Sequence, residues 1–208
     1  MPPIENLDDL NPMHMDVLRE IGNIGSGSAA SALSTLLNSF VDISVPTVKC
    51  LDFDETINFI GGAEELVIGL MLRFTGEISG IIMYILKKEF FCKVINAFYP
   101  KEIDDLTQLD DMDRSAVSEV GNIMAGSYVN AISALSGLVI DISVPAICVD
   151  YAGAILSVPA VEYASLGDKV LLIDDNFKIG GEGIKSNMIL IPEMDSLTTL
   201  FSKLGIEI

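Results

Sequence analysis

The sequence predicts an α/β fold: a single domain of two pseudo-symmetric repeats, each running helix, strand, small helix, two strands and helix, with a sheet covered by helices. Three observations carry this reading. The stretch Asp16-Val17-Leu18-Arg19-Glu20-Ile21-Gly22-Asn23-Ile24 returns as Ser115-Ala116-Val117-Ser118-Glu119-Val120-Gly121-Asn122-Ile123, at an offset of 99 residues. Each copy is followed, 23 residues after its asparagine, by a proline (Pro46, Pro145) that closes an identical Asp-Ile-Ser-Val-Pro. Half of the 208 residues are hydrophobic and 20% are charged, enough apolar side chain to build a sizeable core. A three-stranded half has one apolar face and needs its twin to cover it, so one domain over 1–208 is expected, with repeats 12–100 and 111–208.

Residues 1–11 form an acidic lead-in without periodicity and read as a frayed end. Asn11-Pro12 then marks a helix start, asparagine as cap and proline in the first turn. The helix runs to about Ser39, with Val17, Ile21, Ile24 and Ser28 on one side. Asp16, Glu20 and Asn23 lie within about 60° of one another on a different side, a stripe that continues through the small residues Gly27, Ala30 and Ser34. Gly22, Gly25 and Gly27 would each cost a helix about 1 kcal/mol relative to alanine. Either another backbone approaches closely there, or the helix kinks near Gly25.

Val41 to Leu51 alternates and is β-branched, a strand with Pro46 at an edge or bulge. A short helix or turn over 52–61 ends at Gly61-Gly62. Strands 64–74 and 77–86 form a hairpin around Thr75-Gly76, and a helix over 87–99 stops at Pro100. The aspartate-rich segment 101–110 is expected to be a solvated linker. The second repeat supplies a helix from Ser115 to about Gly137 and a strand over 140–149. A helical segment over 151–166 follows, interrupted by Pro159. Hairpin strands over 169–177 and 184–191, turning at Gly180-Gly181-Glu182-Gly183, precede a closing helix over 193–204.

A net charge of −18 and an isoelectric point near 4.1 disfavour nucleic acid and anionic membrane as partners and favour a protein with basic residues around its own site. Cys50, Cys92 and Cys148 are scattered, and read as buried reduced thiols. With one histidine, His14, and no CxxC pair, zinc has little to bind. No apolar run approaches a bilayer span and no basic-then-apolar leader opens the chain, so a cytoplasmic protein is expected.

Three chemistries compete for the repeated Glu-x-x-Asn. Asp16, Glu20 and Asn23 could offer oxygen to a metal, but Ser115 stands where the first copy has Asp16, so no metal site is expected. Glycosidase or protease chemistry lacks a second carboxylate or a nucleophile–base pair. Phosphoryl transfer to water fits better. A neutral amide holds a water without being repelled by phosphate, while a carboxylate is repelled and seeks a cation of the partner. The phosphate, its metal and a lysine then belong to the partner.

The pattern Asp/Ser-x3-Glu-x2-Asn with its distant proline, met at Asp16, Glu20, Asn23, Pro46 and at Ser115, Glu119, Asn122, Pro145, resembles the CheC/CheX/FliY phosphatases of bacterial chemotaxis. The resemblance covers essentially the whole chain in the two-site, CheC-type form. It implies a phosphatase of the aspartyl phosphate on the response regulator CheY. Asn23 and Asn122 would orient the hydrolytic water, and Glu20 and Glu119 would contact the receiver's lysine. Asp16, Ser115, Pro46 and Pro145 would be supporting positions. It implies no cofactor in this chain, with magnesium on the receiver, and a monomer, since single-site CheX-like relatives dimerise. FliY and FliM proteins add a C-terminal flagellar-switch domain, for which no residues are expected after Ile208. CheC proteins also bind the receptor deamidase CheD, and Asp150 to Ala164 is the expected surface. The alternative is a non-catalytic adaptor holding phosphorylated CheY or CheD.

Overall fold

The computed structural model describes residues 4–163, 167–179 and 181–206. Two long helices, α1 (Pro12–Leu36) and α4 (Asp111–Ser136), open the two halves. Both start on reciprocal caps. The Asn11 side chain accepts from the His14 backbone N–H at 3.0 Å, and His14 Nδ1 accepts from the Asn11 N–H at 3.2 Å. Asp110 and Asp113 do the same for α4, at 2.9 and 3.0 Å. Each box satisfies backbone donors that a helix start leaves free. Neither helix breaks: α1 is continuous through Gly25.

Strands β1 (Val41–Ile43), β2 (Thr47–Asp52), β3 (Leu66–Gly76), β4 (Gly80–Leu86), β5 (Ile140–Ile142), β6 (Ala146–Tyr151), β7 (Lys169–Ile179) and β8 (Glu182–Pro192) form one antiparallel sheet. Across the sheet the order is β1/β2, β7, β8, β4, β3, β5/β6. That order maps onto itself when β1–β4 are exchanged with β5–β8. The edge strands are traded: β1/β2 pair with the second half's hairpin, and β5/β6 with the first half's. A self-contained three-stranded half covered by its twin is therefore not what forms. The halves interlock edge to edge in one sheet, and helices cover both of its faces.

On one face α1 and α4 pack against each other with α3 (Lys88–Phe98) and α6 (Met194–Lys203), over a core that includes Leu33, Tyr84, Phe90, Phe91, Phe177 and Phe201. On the other, α2 (Phe53–Ile60) and α5 (Ala152–Glu162) set Ile60, Ile155 and Leu156 over Ile81, Met83, Ile85 and Ile191. Every residue of β4 is buried, as expected for a central strand covered on both sides. Gly25 sits where the two long helices meet. A Cβ there would stand 2.8 Å from the Tyr128 ring and 3.1 Å from its Cα, so only glycine allows the approach.

Several expectations need correction. The strand over 41–51 is two strands, as is that over 140–149, each pair split at its Ser-Val-Pro. The first hairpin turns over Glu77–Ser79, not at Thr75-Gly76, with Phe74 paired to Gly80. Pro159 lies inside a continuous α5. The second hairpin turns between Ile179 and Glu182, and Gly180 of its glycine cluster lies outside the described residues.

The lead-in is not frayed where it is described. Asn6 caps a 3-10 helix over Leu7–Asp9, Ile4 and Leu7 are buried, and Lys169 pairs with Asp8. Segment 101–110 holds a matching 3-10 helix, Leu106–Gln108, with Leu106 and Leu109 buried. Leu7 and Leu10 precede Leu106 and Leu109 by the same 99 residues, so the two segments are counterparts. Asp113 is buried beside this segment. Burial favours its neutral form, but hydrogen bonds from Lys101 (2.5 Å) and Tyr99 (2.6 Å) hold its carboxyl below the usual range. Of the thiols, Cys50 and Cys92 are half-buried and Cys148 is exposed. His14 is buried, stacked on Phe201 at 4.4 Å. Among the described residues no helix is long and apolar enough to cross a membrane.

Candidate active site

The signature helix and its distant proline meet at a β-bulge. Ile43 pairs with Phe177 and Thr47 with Asp174, so Ser44, Val45 and Pro46 face only Asp175 and Asn176. In the second half Ile142 pairs with Phe74 and Ala146 with Met71, leaving Ser143, Val144 and Pro145 opposite Leu72 and Arg73. A proline lacks the N–H a ladder needs, and one extra residue per bulge accommodates it. Each ring then rests on its helix at the signature glycine. Pro46 Cγ lies 3.6 Å from where a Gly22 Cβ would stand, and Pro145 Cγ lies 3.8 Å from that of Gly121. The 23-residue spacing is thus a contact, and the prolines support the helices from below.

Above that contact the helix points its polar stripe outward. Asp16, Glu20 and Asn23 are exposed, as are Ser115 and Glu119, and Asn122 is half-buried. Among the described residues, the side chains of Glu20, Asn23, Glu119 and Asn122 enter no hydrogen bond or ion pair with the rest of the chain. A module that used them only for packing would bury them. Beyond Asn23 the helix stays low, with nothing within 4 Å of a Gly27 Cβ.

Asp16 has a different occupation: Arg19 donates to its carboxylate. At the second face Ser115 and Ser118 replace both partners, so the ion pair is kept or lost as a unit. Among the described residues no group of three histidine, cysteine or carboxylate side chains is placed to hold a metal ion.

Beneath the first face lies a buried network that sequence reasoning missed. Ser26 of α1 donates to Asp175 Oδ1 of β7 at 2.6 Å, Tyr128 of α4 donates to Oδ2 at 2.9 Å, and the two hydroxyls also meet each other. Asp175 is fully buried, and that burial pushes its carboxyl up to about 6 although both hydroxyls favour the charged form. Ala125 stands at the Ser26 position of the second helix, and Leu72 lies opposite that bulge, so the second face has no such network. The one available sign was the polar run Asp174-Asp175-Asn176 inside an apolar strand.

Asp150, next to last in β6, is exposed, its Oδ1 accepting from the Tyr151 N–H at 2.7 Å. The adjoining α5 is apolar except for Ser157 and Glu162. Ala152, Ile155, Leu156 and Pro159 are buried, while Val158, Val161 and the neighbouring Tyr151 are exposed. Ala164 lies outside the described residues.

Comparison with known proteins places the chain. The model of the CheC-like family matches twice, at residues 13–50 and 112–149, the two helix–bulge units described above. The chain is 37% identical over 196 residues to the CheY-P phosphatase CheC of Bacillus subtilis, covering 92% of this chain and 93% of that protein. The chain belongs to the CheC-like family. It is also 33% identical over 147 residues to the flagellar motor switch phosphatase FliY of Bacillus subtilis, covering 69% of this chain and 38% of that longer protein. Among solved structures, that of Thermotoga maritima FliY matches with a TM-score of 0.73 and 25% identity, covering 95% of this chain and 98% of the other. CheC-type membership accounts for the one-sheet architecture and for the paired faces lying on the segments the family model matches.

Proposed function

We propose that this chain accelerates hydrolysis of the aspartyl phosphate on the chemotaxis response regulator CheY, using either of its two helix faces. The observation that carries the reading is the state of Glu20, Asn23, Glu119 and Asn122. Glu20, Asn23 and Glu119 are exposed, Asn122 is half-buried, and none of the four makes a side-chain bond within the described chain. The named activity of the 37% identical relative, matched over 93% of its length, supports the same reading.

In the proposed reaction α1 or α4 enters the receiver's acidic pocket. The amide of Asn23 or Asn122 holds a water in line with the phosphorus. Water attacks, the bond from phosphorus to the aspartyl oxygen breaks, and inorganic phosphate leaves with the aspartate restored. The amide is neutral, so it approaches the phosphoryl group without repulsion. Glu20 or Glu119 pairs with the receiver's lysine and fixes the helix in register. Magnesium and the charge-neutralising groups belong to the receiver, and this chain contributes positioning. Asp16 with Arg19, and Ser115 at the second face, support the helix without touching the phosphoryl group.

Loss of phosphate from purified phosphorylated CheY tests this directly. Added chain shortens the phosphate half-life, and Glu20→Ala with Glu119→Ala removes most of the effect. An undiminished effect would reassign the glutamates.

A second, compatible reading has its own observation. Exposed Val158, Val161 and Tyr151 beside Asp150 form an apolar patch on the sheet face opposite α1 and α4. That patch suits a protein partner such as CheD, and its position leaves both signature faces open. Val158→Asp with Asp150→Ala is expected to abolish CheD binding in a pull-down of the two purified proteins. Retained binding removes CheD from this surface.

A further inference from the structure

We propose that Met13 with Val45, and Met112 with Val144, are the apolar anchors by which each face grips the receiver's rim around its phosphoryl pocket. The inference rests on the phosphatase reading above and adds what sets affinity. Met13 is 60% exposed and its counterpart Met112 64%, while Val45 and Val144 are 79% and 82% exposed. Single exposed apolar residues are ordinary on a protein surface. Here both positions are apolar and exposed in both halves, at the offset of 99 residues that relates the faces; Phe40 and Val139 share this pattern but lie past the C-terminal ends of α1 and α4, away from the glutamate and asparagine. Side chains that the fold does not bury have no packing role to preserve through duplication.

Their placement puts them under any partner that reaches the asparagine. Met13 precedes Glu20 by seven residues, which sets it about 20° from Glu20 around the helix and about 10 Å along it. Asn23 lies about 15 Å from Met13 along the same axis. Val45 adjoins Pro46, whose ring rests at Gly22, the residue before Asn23. The bulge turns that valine out beside the helix, because Pro46 takes the inward place. A specific protein–protein contact covers about 800 Å² on each partner, a patch of about 16 Å radius. Centred between Glu20 and Asn23, such a patch includes Met13 and Val45. The second helix and bulge repeat these relations for Met112 and Val144.

A hydrophilic phosphoryl pocket cannot supply much apolar burial, and an acidic chain of net charge −18 approaching a phosphoryl group gains nothing from long-range attraction to it. Affinity therefore has to come from the flanks, where desolvated apolar anchors are most effective. The occupant of both patches is the receiver itself, through apolar side chains bordering its phosphorylated aspartate.

The test isolates one face at a time. In Asn122→Ala, where only the first face turns over, Met13→Gln with Val45→Thr keeps side-chain size and backbone preference but adds polar atoms. The pair is expected to raise KM for phosphorylated CheY about tenfold with kcat within twofold. In Asn23→Ala, where only the second face works, the same pair leaves KM in place. An unchanged KM at the first face, a fall in kcat alone, or an equal rise at both faces would overturn the proposal. Binding of CheY carrying beryllofluoride on its aspartate, measured calorimetrically, separates this from the parent reading. If turnover is absent but the pair still weakens binding about tenfold, the anchors stand and the catalytic reading fails. If binding is unaffected, the anchors fail whatever the turnover.

Discussion

Replacing Asp175 by asparagine tests whether the buried network beneath the first face is as charged and as dry as its geometry implies. Asp175 is fully enclosed, held by Ser26 and Tyr128 with no cation bonded to it among the described residues, and its carboxyl is pushed up to about 6 from an ordinary 3.8. A carboxyl whose pKa is higher folded than unfolded binds its proton more tightly in the native state. The native protein is therefore favoured at low pH, and this contribution is lost as pH rises from about 4 through about 6. At 1.36 kcal/mol per unit, the whole loss is on the order of 3 kcal/mol. Roughly half of it falls between pH 5 and 8, a range that stays above the isoelectric point of 4.1. The substituted amide cannot ionise and keeps one acceptor for the hydroxyls, at a cost of about 1 kcal/mol for the bond it makes less well. Urea unfolding of both proteins at unit intervals from pH 5 to 8 is the assay. The variant's stability relative to wild type should improve by about 1–2 kcal/mol across that range, the other carboxylates cancelling in the comparison. Parallel curves would refute the argument and mean that water or a cation reaches the carboxylate.

Gly25 and Gly27, on opposite sides of one turn of α1, should respond with opposite signs. Gly25→Ala sets a Cβ 2.8 Å from the Tyr128 ring and is expected to cost about 1–3 kcal/mol, whereas Gly27→Ala meets nothing within 4 Å and should stabilise by up to about 1 kcal/mol; thermal unfolding checks both. Pro46→Ala removes the ring that rests at Gly22 and is expected to lower turnover at the first face while leaving the second unchanged, measured in single-asparagine backgrounds. Asp16→Ser with Arg19→Ser copies the second face onto the first and should change kcat by less than threefold, since the ion pair it deletes is exposed.

Much of the architecture was legible because its signals are local. The cap at Asn11, the 3.6-residue apolar spacing of α1 and α4, and the matched Glu-x-x-Asn stripes all lie within single helices, whereas α4 begins at Asp111 on its Asp110 cap, four residues before the Ser115 start expected from the repeat. The repeat also contained a signal that went unused. Leu7 and Leu10 match Leu106 and Leu109 at the common offset, and that match alone identifies the lead-in and the linker as the same element. Strand exchange had no local signal. An alternating strand specifies a buried face but not its partner, and β2 finds its ladder on β7 more than a hundred residues away. Pro159 misled for the complementary reason. A helix interior loses one hydrogen bond at proline, and burial of Ile155, Leu156 and Pro159 itself outweighs that loss in α5. Asp175 was illegible as a core residue because its partners, Ser26 and Tyr128, lie 149 and 47 residues away.

The asparagines themselves test the central claim most directly. Phosphate loss from phosphorylated CheY is followed with wild type, Asn23→Ala, Asn122→Ala and the double variant, all confirmed folded by circular dichroism. Each single variant should retain the activity of its remaining face, and the double should return the half-life to that of CheY alone. A double variant that still accelerates hydrolysis at the wild-type rate would contradict the account, and the water would have to be held by other residues.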